Sequence, residues 1–140
     1  MTDAELIRAA KEARARAYAP YSGFSVGAAL LSEGGEVYLG CNIENAAYAP
    51  SVCAERVAFY AAISDGALRF RAIAIMGAKE GEEPTSACPP CGVCRQVMAE
   101  FCDPTSFRIV LENEGEICSY LLQDLFPVGF YGDRTAEECK

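Results

Sequence analysis

Four side chains carry the reactive chemistry of this 140-residue sequence. Cys53-Ala54-Glu55-Arg56 sets a thiol two residues from a carboxylate, and Pro90-Cys91-Gly92-Val93-Cys94-Arg95 supplies two further thiols one helical turn apart. There is no histidine anywhere in the chain. Three thiolates from Cys53, Cys91 and Cys94 can hold a zinc ion and leave its fourth position open for water. Glu55 is then placed to take a proton from that water as a base and to return it to a leaving amine as an acid. A lone Cys-x-x-Cys is weak evidence for such a centre, whereas the paired motifs are strong.

Zinc with three thiolates carries a formal charge of −1, which weakens it as a Lewis acid and calls for a compensating cation. Arg56, next to Glu55, is the first candidate, and Arg95, next to Cys94, the second. Either can instead be an ordinary helical arginine with a surface partner. A glutamate near a helix start is favoured by the helix dipole, which accounts for an acidic residue there but not for its place between a ligand cysteine and an arginine. Cys88, Cys91 and Cys94 repeat every third residue. A closed, structural four-cysteine centre with Cys53 is therefore the alternative, although Pro89 and Pro90 set Cys88 before the helix and off its face.

The elements that must position these groups follow from local signals. Thr2 and Glu5 form a capping box ahead of Leu6, Ala9, Ala10, Ala13 and Ala17, which predicts a helix from Thr2 to Tyr18. Pro20 and Gly23 break it. Phe24–Leu31 and Val37–Ile43 read as strands joined by the Ser32–Glu36 turn, an antiparallel hairpin. A helix is expected from Cys53 to about Asp65, a buried strand over Arg71–Met76, and a polar loop over Lys79–Ala87. A second helix runs from Cys91 to Phe101, followed by a strand over Phe107–Leu111, a turn at Glu112–Gly115, a short strand near Ile117 and a helical turn over Leu121–Leu125. The order α-β-β-α-β-α-β-β describes one α/β domain over residues 1–140, with helices layered on a sheet. Both cysteine motifs fall at predicted helix starts, where free N–H groups and the positive dipole end favour thiolate over thiol.

Composition narrows the partners. The chain is 51% apolar and 23% charged, as expected of a soluble globular protein, and neither a signal peptide nor a transmembrane helix is readable, which suggests the cytoplasm. A net charge of −8 with scattered basic residues argues against a nucleic-acid partner and for a small neutral one. Eight cysteines invite a disulfide framework, but nothing points to export. Cys41, Cys102, Cys118 and Cys139 read as small core or terminal residues.

Three cysteines with a non-ligating glutamate match the known donor pattern of zinc nucleobase deaminases. The chain resembles, over nearly its whole length, the small three-cysteine cytidine deaminases. The resemblance is carried by Ala19-Pro20-Tyr21-Ser22-Gly23-Phe24-Ser25-Val26-Gly27-Ala28-Ala29-Leu30, by Gly40-Cys41-Asn42-Ile43-Glu44-Asn45-Ala46-Ala47-Tyr48, and by the two cysteine motifs through Gln96. It implies hydrolysis of cytidine or deoxycytidine to the uridine form with release of ammonia. It also implies zinc on Cys53, Cys91 and Cys94, and Glu55 as the proton shuttle, serving in turn the attacking water, N3 of the base and the departing amine. Phe24 would pack on the nucleoside, and Ala54 would join the substrate contacts. Asn42 and Glu44, two residues apart and so on one strand face, would bind the ribose 3′-hydroxyl. Ala46 and Tyr48 would reach the ligand's 5′ side or a neighbouring site. Phe126 from another subunit would cover the base, with Phe130 as the alternative, since Gln123 departs from the family's usual proline and Pro127–Tyr131 is additional. The resemblance further implies a homotetramer with shared sites and a three-layer α-β-α fold. Its mixed five-stranded sheet would have the order 2-1-3-4-5, with the last strand antiparallel and helices on both faces. The short Glu112–Gly115 turn agrees, because a parallel return needs a long crossover. Three rivals stay open: deamination of a modified aminopyrimidine nucleoside of the blasticidin type, a structural zinc module, and a nucleic-acid editing deaminase. The acidic charge weighs against the last.

Overall fold

The computed structural model describes residues 1–132. Its elements are α1 (Asp3–Ala13), a 3₁₀ turn (Arg14–Arg16), β1 (Phe24–Ser32), β2 (Val37–Cys41), α2 (Ala54–Ser64), β3 (Phe70–Lys79), α3 (Gly92–Phe101), β4 (Arg108–Asn113), β5 (Glu116–Leu121) and α4 (Leu122–Leu125). The capping box forms as read: Thr2 Oγ1 accepts from the Glu5 amide at 3.1 Å, and the Glu5 carboxylate accepts from the Thr2 amide at 2.7 Å. The helix stops at Ala13 rather than Tyr18 because Tyr18 is taken into a β-bridge with Ile43. The Tyr18 amide donates to Asn42 O and the Glu44 amide to Tyr18 O, both at 2.9 Å. A bridge to a distant segment thus overrides local helical periodicity. The third strand runs past Met76 to Lys79 because Gly77, Ala78 and Lys79 pair with Val26, Ser25 and Phe24 of β1.

The strands lie in the order β2-β1-β3-β4-β5. Strand β1 is antiparallel to β2 and β3, β3 is parallel to β4, and β5 is antiparallel to β4. Side chains alternate across the sheet and feed two cores. On one face Ala29, Leu31, Ala72, Ala74, Met76 and Val110 pack under Leu6, Ile7 and Ala10 of α1. On the other, Ala28, Leu30, Ile73, Ile75 and Ile109 pack under Ala58, Phe59 and Ala62 of α2 and Met98 of α3. The result is the three-layer arrangement with helices on both faces. Phe59 anchors the second core, meeting Phe70 edge-on with ring centroids 5.2 Å apart.

Two glycines set how closely the helices approach the sheet. A Cβ at Gly27 would lie 2.0 Å from Ala10 O of α1, and one at Gly40 would lie 2.2 Å from Ala54 O of α2. Backbone therefore rests on backbone at both places. Among the described residues all seven cysteines are free, so the disulfide reading finds no support; Cys102 is buried, Cys41 and Cys118 are half-buried, and Cys139 lies outside the described residues. No helix among the described residues is long and apolar enough to cross a membrane.

Candidate active site

Helix α2 begins directly after Cys53 and α3 directly after Cys91, so each cysteine is the N-cap of its helix, in extended conformation. The free amides of both first turns and two positive dipole ends converge on the same region. Cys94 sits one turn into α3 and is buried. The sulfurs of Cys53 and Cys91 are 3.7 Å apart, those of Cys91 and Cys94 3.5 Å, and all three lie within 4.8 Å of one another. Tetrahedral zinc with Zn–S bonds of ~2.3 Å places its sulfurs roughly 3.8 Å apart. The trio therefore fits zinc and leaves one direction without a protein donor. Cys88 is outside this group: its sulfur lies over Gly77, where a Cβ would come within 2.8 Å of it. Burial pushes its thiol up to about 11, with the charges of Glu55 and Cys53 acting in the same direction. The closed four-cysteine centre is not what the fold builds.

The two arginines separate here. Arg56 donates through Nη2 to Cys53 Sγ at 3.4 Å, and its buried Nε has no protein partner. Its own pKa is raised, first by the bond to Cys53 and further by Cys94. Arg95 instead donates through Nε to Pro90 O at 2.8 Å and through Nη1 to Leu125 O. Arg56 is thus the cation at the thiolates, and Arg95 binds backbone. Hydrogen bonding from Cys94, then from Arg56 and Cys91, pulls Cys53 down to about 5 against the cost of burial. Cys94 is driven far up by its bond to Cys53 and by burial.

Glu55, one residue into α2, is 4% exposed. Burial is the main cause that lifts its carboxyl to about 7, and the Cys53 charge adds to it. A carboxyl poised there can both accept and donate a proton near neutral pH.

A cavity of about 290 Å³ opens onto Cys53, Glu55, Arg56 and Cys91. This is the low end of small-molecule pockets. Val26, Val52, Ala54 and Pro89 give it apolar walls, while Asn42, Glu44 and Ser51 give it a polar side. Strand β2 ends at Cys41, two residues short of the expected Ile43, and Ile43 bridges Val52 instead. Asn42 and Glu44 flank that bridge and both line the cavity, as their spacing implies. Asn42 Oδ1 accepts from the Val26 amide at 2.8 Å, and its Nδ2 donates to Phe24 O at 2.9 Å. Glu44 accepts from the Ser22 hydroxyl and from the Tyr21 and Ser22 amides, both at 3.0 Å. The Ser22 hydroxyl, and then its amide, hold the Glu44 carboxyl below the ordinary range. Both side chains are therefore fixed by the segment that leads into β1.

The remaining anticipated contacts lie away from the cavity of a single chain. Phe24 is 39% exposed, with its ring on Gly77 beside Val26. Ala46 is exposed, and so is Tyr48, which has a positive φ of 60°. Phe126 packs against the α2–α3 core and meets Tyr131 edge-on at 6.2 Å, while Phe130 is 74% exposed. Conversely, Val26, Val52, Ser51 and Pro89 line the cavity without having been anticipated. The valines read as ordinary strand or loop apolar residues, and only the nearness of Ser51 and Val52 to Cys53 hinted at them.

Residues 1–109 match the family profile described as the cytidine and deoxycytidylate deaminase zinc-binding region. A cytidine deaminase of Sporosarcina psychrophila is 50% identical over 127 residues, covering 90% of this chain and 89% of the relative. A blasticidin-S deaminase of Bacillus cereus is 28% identical over 131 residues, covering 91% of each. Among solved structures, a cytidine deaminase from Burkholderia pseudomallei superposes with a TM-score of 0.83 at 45% identity, covering 93% of this chain and 100% of that one.

Proposed function

The chain belongs to the cytidine and deoxycytidylate deaminase family, and from that premise we propose how its own residues carry out the reaction. The protein is an enzyme that hydrolyses cytidine and 2′-deoxycytidine to uridine and 2′-deoxyuridine: water adds at C4, the C4–N4 bond breaks, and ammonia leaves. Cys53, Cys91 and Cys94 hold zinc, which when bound supplies the Lewis acidity that lets a water lose a proton near neutral pH. Glu55 accepts one proton of the attacking water and passes it to N3 of the base, then takes the second from the hydroxyl now on C4 and delivers it to the departing amine as C4=O forms and the C4–N4 bond breaks. Its burial against the thiols, with a carboxyl near 7, is the observation that carries this reading. Arg56 offsets the excess negative charge of the thiolates.

Val26, Val52, Ala54 and Pro89 form the slot for the pyrimidine. Asn42 keeps a second amide hydrogen and Glu44, which already accepts three hydrogen bonds, keeps about one open lone pair on Oε2, so each can engage the ribose 3′-hydroxyl without releasing the backbone. Phe24, whose ring lies over Gly77 beside Val26 and outside the cavity of a single chain, packs on the bound nucleoside. Ala46, Tyr48 and Phe126, with Phe130 as the alternative to Phe126, complete sites in a homotetramer. Support for this comes from the exposure of Tyr48 and Phe130, large side chains that a lone subunit leaves in water. Residues 1–140 act as one deaminase domain. Its described cysteines are all free thiols, as a reducing compartment allows, which supports the cytoplasm, and nucleoside deamination fits a role in pyrimidine salvage. Nucleic acid is disfavoured by the net charge of −8. The greater identity to the cytidine deaminase than to the blasticidin-S deaminase favours the plain nucleoside.

The test is the ultraviolet absorbance of cytidine with zinc-loaded protein, run beside Glu55→Gln. Conversion to the uridine spectrum by the parent, slowed by orders of magnitude in the variant, is expected. Near-normal turnover by Glu55→Gln would overturn the shuttle, and no conversion by a fully zinc-loaded parent would overturn the substrate.

A further inference from the structure

Arg95 follows the ligand Cys94 yet directs its guanidinium away from the sulfurs. One arm takes the carbonyl of Pro90, the residue before ligand Cys91, at 2.8 Å. The other takes the carbonyl of Leu125, the last residue of α4 and the one before Phe126. The next residue, Gln96, donates through Nε2 to Phe130 O at 2.8 Å. Two consecutive side chains of α3 therefore fasten the C-terminal segment at two points, and one of them also fastens the turn that presents a ligand. That turn is poorly equipped to fix itself, since Pro89 and Pro90 carry no N–H. Cys91 is also the most exposed of the three sulfur-bearing residues. A cation in the first half of a helix opposes the dipole, so its place there is accounted for by these two carbonyls.

We propose that Arg95 is a positioning residue that couples the segment 126–132 to the ligand turn, so that docking of the segment and retention of zinc favour each other. The inference rests on the zinc reading above. By linkage, whatever the docked segment adds to metal retention, the metal adds equally to docking of the segment. Glu55 and Arg56 sit on α2 and act on proton transfer and charge; Arg95 acts through backbone position alone.

The test compares the parent with Arg95→Met, Arg95→Lys and Arg108→Met. The last removes a two-pronged ion pair to Asp3 on the opposite side of the sheet and serves as the control for general destabilisation. Two readouts are taken: the rate of zinc release to a chromogenic chelator, and the rate of chymotrypsin cleavage within 126–132 in zinc-loaded and zinc-stripped protein. Arg95→Met should release zinc about tenfold faster or more, the usual effect of losing a group that orients a metal ligand. Arg95→Lys, which can satisfy one carbonyl, should fall between, and it carries the test if the methionine variant does not fold. Arg108→Met should match the parent. Stripping zinc should speed cleavage of the segment in the parent but not in Arg95→Met. Parent-like zinc release by both Arg95 variants would overturn the coupling, as would cleavage of the parent that ignores zinc, or equal acceleration in Arg108→Met. A parent that binds no zinc would overturn the metal reading first, and is distinguishable because no release is then seen at all.

Discussion

Replacing Gly40 by alanine tests how closely the catalytic helix must rest on the sheet. The new Cβ would lie 2.2 Å from Ala54 O and 2.6 Å from Ala58 N, both backbone atoms of α2. No rotamer change relieves such contacts, so the helix must retreat by about 0.8 Å or more before reaching even the closest separation real Cβ atoms show. Overpacking of this kind costs roughly 1–3 kcal/mol, and a chain of this size loses roughly 3–5 °C in melting temperature per kcal/mol. Helix α2 carries Glu55 on its first turn and starts after its N-cap Cys53, so the same displacement shifts the proposed base and the proposed zinc ligand together. A misplacement near 1 Å is expected to lower kcat/KM by about 100-fold. Gly27→Ala is the matched control. Its Cβ would strike Ala10 O at 2.0 Å and Arg14 N at 2.5 Å, pushing α1 away on the other face of the sheet. It should lose comparable stability while keeping kcat/KM within about threefold, because no group of the cavity rides on α1. Thermal unfolding and the cytidine absorbance assay on both zinc-loaded variants decide the matter. A Gly40→Ala protein with parental melting temperature and rate would refute the reasoning, and so would equal rate losses in the two variants.

The other predictions are simpler. Cys91→Ala should lose zinc, whereas Cys88→Ala should retain one zinc per chain by atomic absorption; zinc loss in Cys88→Ala would restore the four-cysteine reading. In zinc-stripped protein, Glu55 has a carboxyl raised from 4.5 to about 7, so its contribution to stability is full below pH 4.5 and is lost as pH rises through about 7. Denaturant unfolding should therefore show Glu55→Gln gaining on the parent between those values, by about 3 kcal/mol at most, and a difference independent of pH would contradict the burial argument. Phe126→Ala should lower the melting temperature because the ring packs on the core, whereas Phe130→Ala, 74% exposed, should leave it unchanged and instead raise KM if that ring covers a neighbouring site.

Much of the fold was legible because its signals are local. The Thr2–Glu5 capping box, the alternation along Ala28–Leu31 and Ala72–Met76, and the cysteines at helix starts all express interactions within a few residues. The misreadings come from distant partners. Helix α1 stops early because Tyr18 bridges Ile43, and β3 runs on to Lys79 because the start of β1 is there to pair with it. Arg56 and Arg95 illustrate the same divide. Each is an arginine beside a motif cysteine or its glutamate, and residue type alone left both as candidates for the thiolate cation. One reaches Cys53, and the other spans to carbonyls on either side of α3.

The chemistry of the site was therefore set by residue identity: three thiols without histidine, a carboxyl two residues from one of them, and a cation next to it. Those determine which metal can bind and which group can move protons, because donor softness and acidity belong to side chains. What only the tertiary structure decided is distance and dielectric. Cys53 and Cys91, 38 residues apart, meet at 3.7 Å because two helices start side by side on one face of the sheet. Glu55 titrates near 7 because the same packing removes it from water, and no pattern along the chain encodes that desolvation.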